Sequence, residues 1–223
     1  MKVKIFIIIT LSFFVLISCE HDNYDAPNAI LSGKVVYEGE AVGVRTNGTQ
    51  LELWQDGYEL YSKIPVHIAQ DGTYSASLFA GQYKLVRLAG APWESQSNDT
   101  IFIDVKGNTN LDVHVNPYFI IKNETFSVNQ GSITTTFDVE KIVSTAKIHS
   151  VNLYLSKSIL TDNIKYDEVE ELDVSKWDVD KKGTIVAKIP DNLKNAGYIF
   201  ARIGVRSTSS SEYIFTPVAK IEL

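Results

Sequence analysis

The chain has 223 residues, 44% hydrophobic and 22% charged, with a formal net charge of −6. That composition is ordinary for a folded globular protein of one or two domains. An acidic chain with no basic cluster argues against nucleic acid as its main partner and against electrostatic adhesion to anionic lipid.

The first element is an export signal. Met1–Lys4 carries Lys2 and Lys4, and 5–17 is apolar apart from Thr10 and Ser12. A basic head followed by a short oily run is the pattern of a secretory signal peptide, here 1–18, and is too short to favour a transmembrane helix. Cys19, the single cysteine, follows at once. It has no partner for a disulfide, only His21 nearby for a metal, and it precedes the folded part where a catalytic thiol would sit. Leu16-Ile17-Ser18-Cys19 resembles the lipobox of bacterial lipoproteins. The resemblance implies cleavage before Cys19 and acylation of its thiol and new amine. Several acyl chains hold a protein stably to a bilayer, whereas one binds only marginally. An uncleaved anchor helix with an incidental cysteine is the competing reading. Loss of Lys2 and Lys4 takes the net charge from −6 to −8. Residues 19–29 form a lipidated flexible tether. Their acidic start, Glu20 to Asp25, resembles the export signature of surface lipoproteins in glycan-foraging Gram-negative bacteria.

From residue 30 onward apolar residues alternate with polar ones. Leu51 and Leu53 share one phase, as do Ile64, Val66 and Ile68, then Ile101, Ile103 and Val105, then Leu111, Val113 and Val115. Period-two runs between Asn47-Gly48, Asp71-Gly72, Ala80-Gly81 and Gly107-Asn108 predict short strands with one buried face. Pro117 marks a boundary. A second series follows: Ile133, Phe137 and Val139; Val151, Leu153 and Leu155; Ile185, Ala187 and Ile189; Ile199 to Val205; and a closing run from Tyr213. The acidic interval 156–182 fits either a short helix or an edge strand. The fold class expected is all-β, with two consecutive β-sandwich domains, 30–117 and 118–223, after a lipoprotein signal peptide.

Residues 33–86 carry Asp71-Gly72-Thr73-Tyr74 and Gly81-Gln82-Tyr83. This stretch resembles a carboxypeptidase-regulatory-like (transthyretin-like) domain. Asp71-Gly72 would make a hairpin turn, Gly81 a tight corner, and the two tyrosines would cover opposite ends of the core. The stretch from Tyr198 to Leu223 resembles the last strands of an immunoglobulin or fibronectin-III-like domain. Together the halves resemble a family of surface lipoproteins of unassigned function, typically encoded beside starch-utilisation-type transporters and binding proteins. The resemblance implies an outer-membrane protein, lipid-anchored through Cys19 and facing the cell exterior. Its implied partners are a glycan, a TonB-dependent transporter and that transporter's binding lipoprotein; no cofactor is implied.

No nucleophile elbow, His-Glu-x-x-His pair or phosphate loop is present. His67 and His114 lie opposite their strands' apolar sets and read as exposed histidines rather than ligands. Asp178 to Gly183 reads as a turn, because Lys182 and Ile189 stand where a calcium loop needs oxygen donors. Asp99-Thr100-Ile101 matches a short O-glycosylation pattern, with Thr100 as acceptor. The aromatic residues Trp54, Tyr58 and Trp93 are the candidate glycan platform, since a flat exposed ring stacks on the C–H face of a sugar. Trp93, in the loop Gly90-Ala91-Pro92-Trp93-Glu94, leads the three. The competing role for each is a cap over a small core. Three functions follow: non-catalytic glycan capture, a module that docks onto a transporter without touching sugar, and an enzyme, which would need clustered titratable groups in a cleft.

Overall fold

The computed structural model describes residues 26–57, 59–96 and 100–223, and every regular element among them is a β-strand. The first nine strands build one sandwich. They are β1 (Ala29–Tyr37), β2 (Glu40–Ala41), β3 (Gln50–Trp54), β4 (Ile64–His67), β5 (Thr73–Leu78), β6 (Gly81–Arg87), β7 (Thr100–Val105), β8 (Asn108–Asn110) and β9 (Val113–His114). One sheet centres on β1, antiparallel to β2 and β5 and parallel to β8 and β9. The other is antiparallel in the order β4-β3-β6-β7. Leu31 and Val35 of the first sheet share a core with Leu51, Leu53, Val66, Leu85 and Val105 of the second. Alternation thus sends one residue set inward and leaves the other on an open outer face.

The second sandwich comprises β10 (Phe119–Asn129), β11 (Ser132–Lys141), β12 (Ile148–Ser156), β13 (Glu168–Glu171), β14 (Gly183–Lys188), β15 (Tyr198–Ser207), β16 (Tyr213–Phe215) and β17 (Ala219–Glu222). Its sheets run β10-β11-β14 and β13-β12-β15, with β16 and β17 pairing successive stretches of β15. The interval left open between helix and strand holds the edge strand β13. Two hairpins, Glu38-Gly39 and Gln130-Gly131, have both turn residues left-handed, which matches the twist of the flanking strands.

The Asp-Gly motif is a turn stabilised by its own side chain. Asp71 Oδ1 accepts the Thr73 N–H (3.1 Å) and hydroxyl (2.7 Å), and Gly72 is left-handed. Tyr74 donates to the Leu111 carbonyl (2.6 Å), and Tyr83 donates to that of Phe79 (2.9 Å). Gly81 departs from the expected corner. It begins β6 without a left-handed backbone, and a Cβ there would crowd only the movable amide of Gln55, with the Tyr83 ring at ordinary contact distance.

The outer face of β12, β15 and β16 is covered in part by the first sandwich. Arg202 is 1% exposed. Its Nη2 donates to the Gln70 carbonyl (2.7 Å) across the domain junction and its Nε to the Thr216 carbonyl (2.7 Å). The guanidinium lies 4.5 Å from the centre of the Phe215 ring. Burial pushes it down to about 10, which leaves it charged at neutral pH. Around it the Phe215 N–H donates to the Gly43 carbonyl (2.9 Å), Ser210 donates to that of Gly90 (2.9 Å), and Arg45 pairs with Glu212 (2.9 Å).

Candidate functional site: the open face of a four-stranded sheet

On β3, Leu51 and Leu53 point into the core, so Gln50, Glu52 and Trp54 point out. Register carries this face across the sheet. Trp54 lies beside Lys84 of β6, and Lys84 beside Phe102 of β7. Glu52, Val86 and Thr100 form the next row. Trp54 and Phe102 are thus two strand spacings apart, about 10 Å.

The connection after β3 turns at the left-handed Gly57 and brings Tyr61 back over Trp54. The rings sit 4.9 Å apart with 33° between their planes. Trp54 is half-buried, Tyr61 is 51% exposed and Phe102 is 76% exposed. This face therefore presents an aromatic pair and a third ring, with a lysine between them.

The charges on the face are matched. Lys63 reaches Glu52 at 2.6 Å, which allows that carboxylate to sit nearly buried. Lys84 pairs with Asp56 (2.7 Å) and Lys106 with Asp104 (2.6 Å). The Asp56 hydrogen bond holds Lys84 in its ammonium form. A face of rings and paired charges suits a neutral ligand with an apolar side and many hydroxyls. Among the described residues no group of three or more His, Cys, Asp and Glu side chains is placed to hold a metal ion.

Trp93 does not belong to this site. It is 3% exposed, against the exposed loop position expected of it. The loop that carries it packs on the domain linker: Trp93 bridges to Pro117, the Glu94 N–H donates to the Asn116 carbonyl (2.9 Å), and the Tyr118 N–H to that of Pro92 (3.2 Å). Its ring belongs to the buried core and offers no face to a ligand. Cys19 and Tyr58 lie outside the described residues. Thr100 stands at the start of β7, half-buried in the outward row with Val86. His67 and His114 are exposed but on different sheets, and His67 bonds to Gln50 (3.2 Å).

Sequence reasoning missed Tyr61, Lys84 and Phe102. Phe102 had a signal: an aromatic in the polar phase of Ile101-Phe102-Ile103 has no core to enter. Tyr61 had none, because only the course of its loop brings it to Trp54.

The fold and this face define a two-domain β-sandwich protein with an exposed aromatic platform. Two family models match in tandem: "Protein of unknown function (DUF3823) N-terminal domain" over residues 29–116 and "Domain of unknown function (DUF3823_C)" over 119–220. The chain belongs to the DUF3823 family. It is similar to the crystal structure of a DUF3823 family protein from Bacteroides ovatus ATCC 8483, at 46% identity and a TM-score of 0.81, over 88% of this chain and 100% of that one. A DUF3823 family protein from Parabacteroides merdae ATCC 43184 aligns at 36% identity and a TM-score of 0.80, over 89% and 100%. A proposed carbohydrate-binding protein from Bacteroides uniformis ATCC 8492 aligns at 20% identity and a TM-score of 0.74, over 88% and 100%, a likeness of fold alone. No curated protein matches the chain.

Proposed function

We propose that this protein is a non-catalytic carbohydrate-binding lipoprotein of the bacterial outer membrane. It is held through an acylated Cys19, faces the cell exterior, and serves as an accessory to a polysaccharide uptake system. One observation carries the reading: the exposed Trp54–Tyr61 pair, in a cross-strand row with Lys84 and Phe102. Ring faces take the C–H side of a sugar while Lys84 and the paired carboxylates meet its hydroxyls. The absence of catalysis is part of the same reading, since Glu52, Asp56 and Asp104 are each engaged by a lysine. The distant fold relative from Bacteroides uniformis, itself proposed to bind carbohydrate, is consistent with it.

The test is a glycan array probed with the soluble chain and with Trp54→Ala. Binding to a defined polysaccharide should weaken at least about tenfold in the variant, which is about 1.4 kcal/mol. Unchanged binding in Trp54→Ala would remove the platform from this face.

A second reading has its own observation. Leu60, next to Tyr61 in the chain, is 80% exposed and Phe102 on β7 76%, and bare apolar groups also suit a protein partner. In that reading the face docks onto a TonB-dependent transporter or its binding lipoprotein. Silence on the array, with retention of the transporter in a pull-down lost on Phe102→Asp, would favour docking.

A further inference from the structure

The outer face of the sheet β13-β12-β15-β16 is only partly covered by the first sandwich. The uncovered part is a pocket of about 430 Å³. Tyr154 and Tyr213 form its floor, both buried and edge-on to each other, and the exposed Tyr166 forms one wall, its ring 5.7 Å from that of Tyr154. Asn152, Asn163 and Arg206 are among the other residues of the lining.

These three side chains have hydrogen-bonding capacity left over. Asn152 Oδ1, Asn163 Oδ1 and Arg206 Nε are buried without a partner. Buried polar atoms are nearly always satisfied, and three orphans on the rim of one pocket need an explanation. Asn152 Nδ2 donates one hydrogen to the Tyr154 hydroxyl at 2.9 Å, and its oxygen is the atom left in want of a donor.

The wall is held in place before any ligand arrives. Asp162 Oδ1 accepts the N–H groups of Ile164 (2.7 Å) and Lys165 (2.8 Å). Asp167 Oδ2 accepts the Ser156 hydroxyl and the Lys157 N–H, both at 2.9 Å. Between these two anchors the loop presents Asn163 and Tyr166. A preorganised wall lowers the entropy lost on binding.

The chemistry selects the ligand. Among the described residues of the lining Arg206 is the one cation and Glu171 the one carboxylate, so their charges cancel and offer an anion such as phosphate no net attraction. Planar carboxamides and a guanidinium next to tyrosine rings suit vicinal hydroxyls on a ring with an apolar face.

A groove leads from the pocket toward the first site. Ser211 lines both it and a groove of about 350 Å³ at the domain junction, which Gln50 lines from the other side. Gln50 shares the outward phase of β3 with Trp54, four residues or about 13 Å along the strand.

We propose that the pocket walled by Tyr166, Asn163 and Arg206 is a second saccharide subsite, taking one neutral sugar unit. The proposal rests on the carbohydrate-binding reading above, and it adds a site in the other domain.

The test is saturation-transfer NMR on the full chain with glucose, galactose, mannose, xylose, arabinose, N-acetylglucosamine, glucuronic acid and galacturonic acid as probes. At least one neutral sugar should show transfer. Measured in a Trp54→Ala background, so that the first face adds no signal, transfer should persist; there Tyr166→Ala should weaken it at least tenfold, and Tyr166→Phe should keep it within about threefold because the ring remains. Thermal melts establish that the variants are folded. Transfer abolished by Trp54→Ala but untouched by Tyr166→Ala and Asn163→Ala would overturn the subsite and leave the carbohydrate reading standing. Transfer confined to the two uronic acids and lost in Arg206→Gln would overturn the neutral class. No transfer from any probe, with silence on the array, would overturn both.

Discussion

Replacing Arg202 by Met tests what locks the two sandwiches together. Met keeps most of the stem and removes the guanidinium. Two carbonyls, Gln70 and Thr216, then lose their donors at 2.7 Å. Hydrogen bonds to a charged group contribute about 1.5–3 kcal/mol each, and the contact with the Phe215 ring adds about 1 kcal/mol. Against these stands the cost of burying a cation whose Nη1 finds no partner. The balance is a loss of about 3 kcal/mol, or roughly 6–12 °C in Tm for a chain of this size. Urea unfolding followed by tryptophan fluorescence reads it directly, since Trp93 sits at the junction. Arg202→Lys should fall between wild type and Met, because an ammonium lacks the fork that spans both carbonyls. A change below about 0.5 kcal/mol in Arg202→Met would refute the reasoning and make this arginine a passenger of the interface.

Gly43→Ala should strike the same junction from the other side: a Cβ at Gly43 would lie only 2.4 Å from the Phe215 carbonyl oxygen, so the domains must separate or the backbone bend. Its destabilisation, measured in urea, should be less than additive with Arg202→Met, because both break one contact network. Stability should also fall as pH rises above about 10. Burial holds the Tyr74 and Tyr154 phenols neutral well above the ordinary tyrosine value of 10.0. Below that pH both states keep these protons and the contribution is fully present. Above it the unfolded chain loses them while the native state does not, so the native state binds more protons and loses stability with rising pH. Tyr74→Phe should make the decline in urea midpoint shallower; an unchanged slope would contradict this account.

Most of the first sandwich's core was legible because its strands bury one face. Leu51, Leu53, Val66 and Val105 stand at alternate positions, and each is buried. The same logic reads the inward face of β15 from Ile199, Ala201, Ile203 and Val205, and it fails on the other side of that strand. Arg202 and Gly204 are buried too, as are Tyr154 on β12 and Tyr213 and Phe215 on β16. That burial comes from a second domain and a loop lying across the sheet, and a two-residue period carries no information about what covers the polar phase. Trp93 was misplaced for a related reason. Gly90-Ala91-Pro92 correctly signals a turn, but whether the next side chain meets water depends on the linker that returns beside it through Pro117. Trp54 was placed on the outer face by alternation alone, whereas its partner Tyr61 depends on the course of a nine-residue connection between β3 and β4.

The hydrogen bonds across the junction tie the two candidate sugar sites into one body, and that has a measurable consequence. Two weak subsites on one body bind a long chain more tightly than either binds a single unit, provided the chain can reach both. Arg202 and Gly43 line neither the Trp54 face nor the Tyr166 pocket, although Arg202 is the cross-strand neighbour of Tyr154 in the pocket floor, so a monosaccharide serves as the control for damage to a subsite. The double variant Arg202→Met, Gly43→Ala should therefore bind a monosaccharide as the wild type does, yet lose roughly tenfold or more of its affinity for a long polysaccharide. Isothermal titration with a matched monosaccharide and polymer measures both on one sample, at a temperature where circular dichroism finds the variant folded. Equal loss for both ligands would mean the damage had spread into a subsite. No loss for the polymer would mean that a single chain does not run between the two faces, and that the groove lined by Gln50 and Ser211 is not its path.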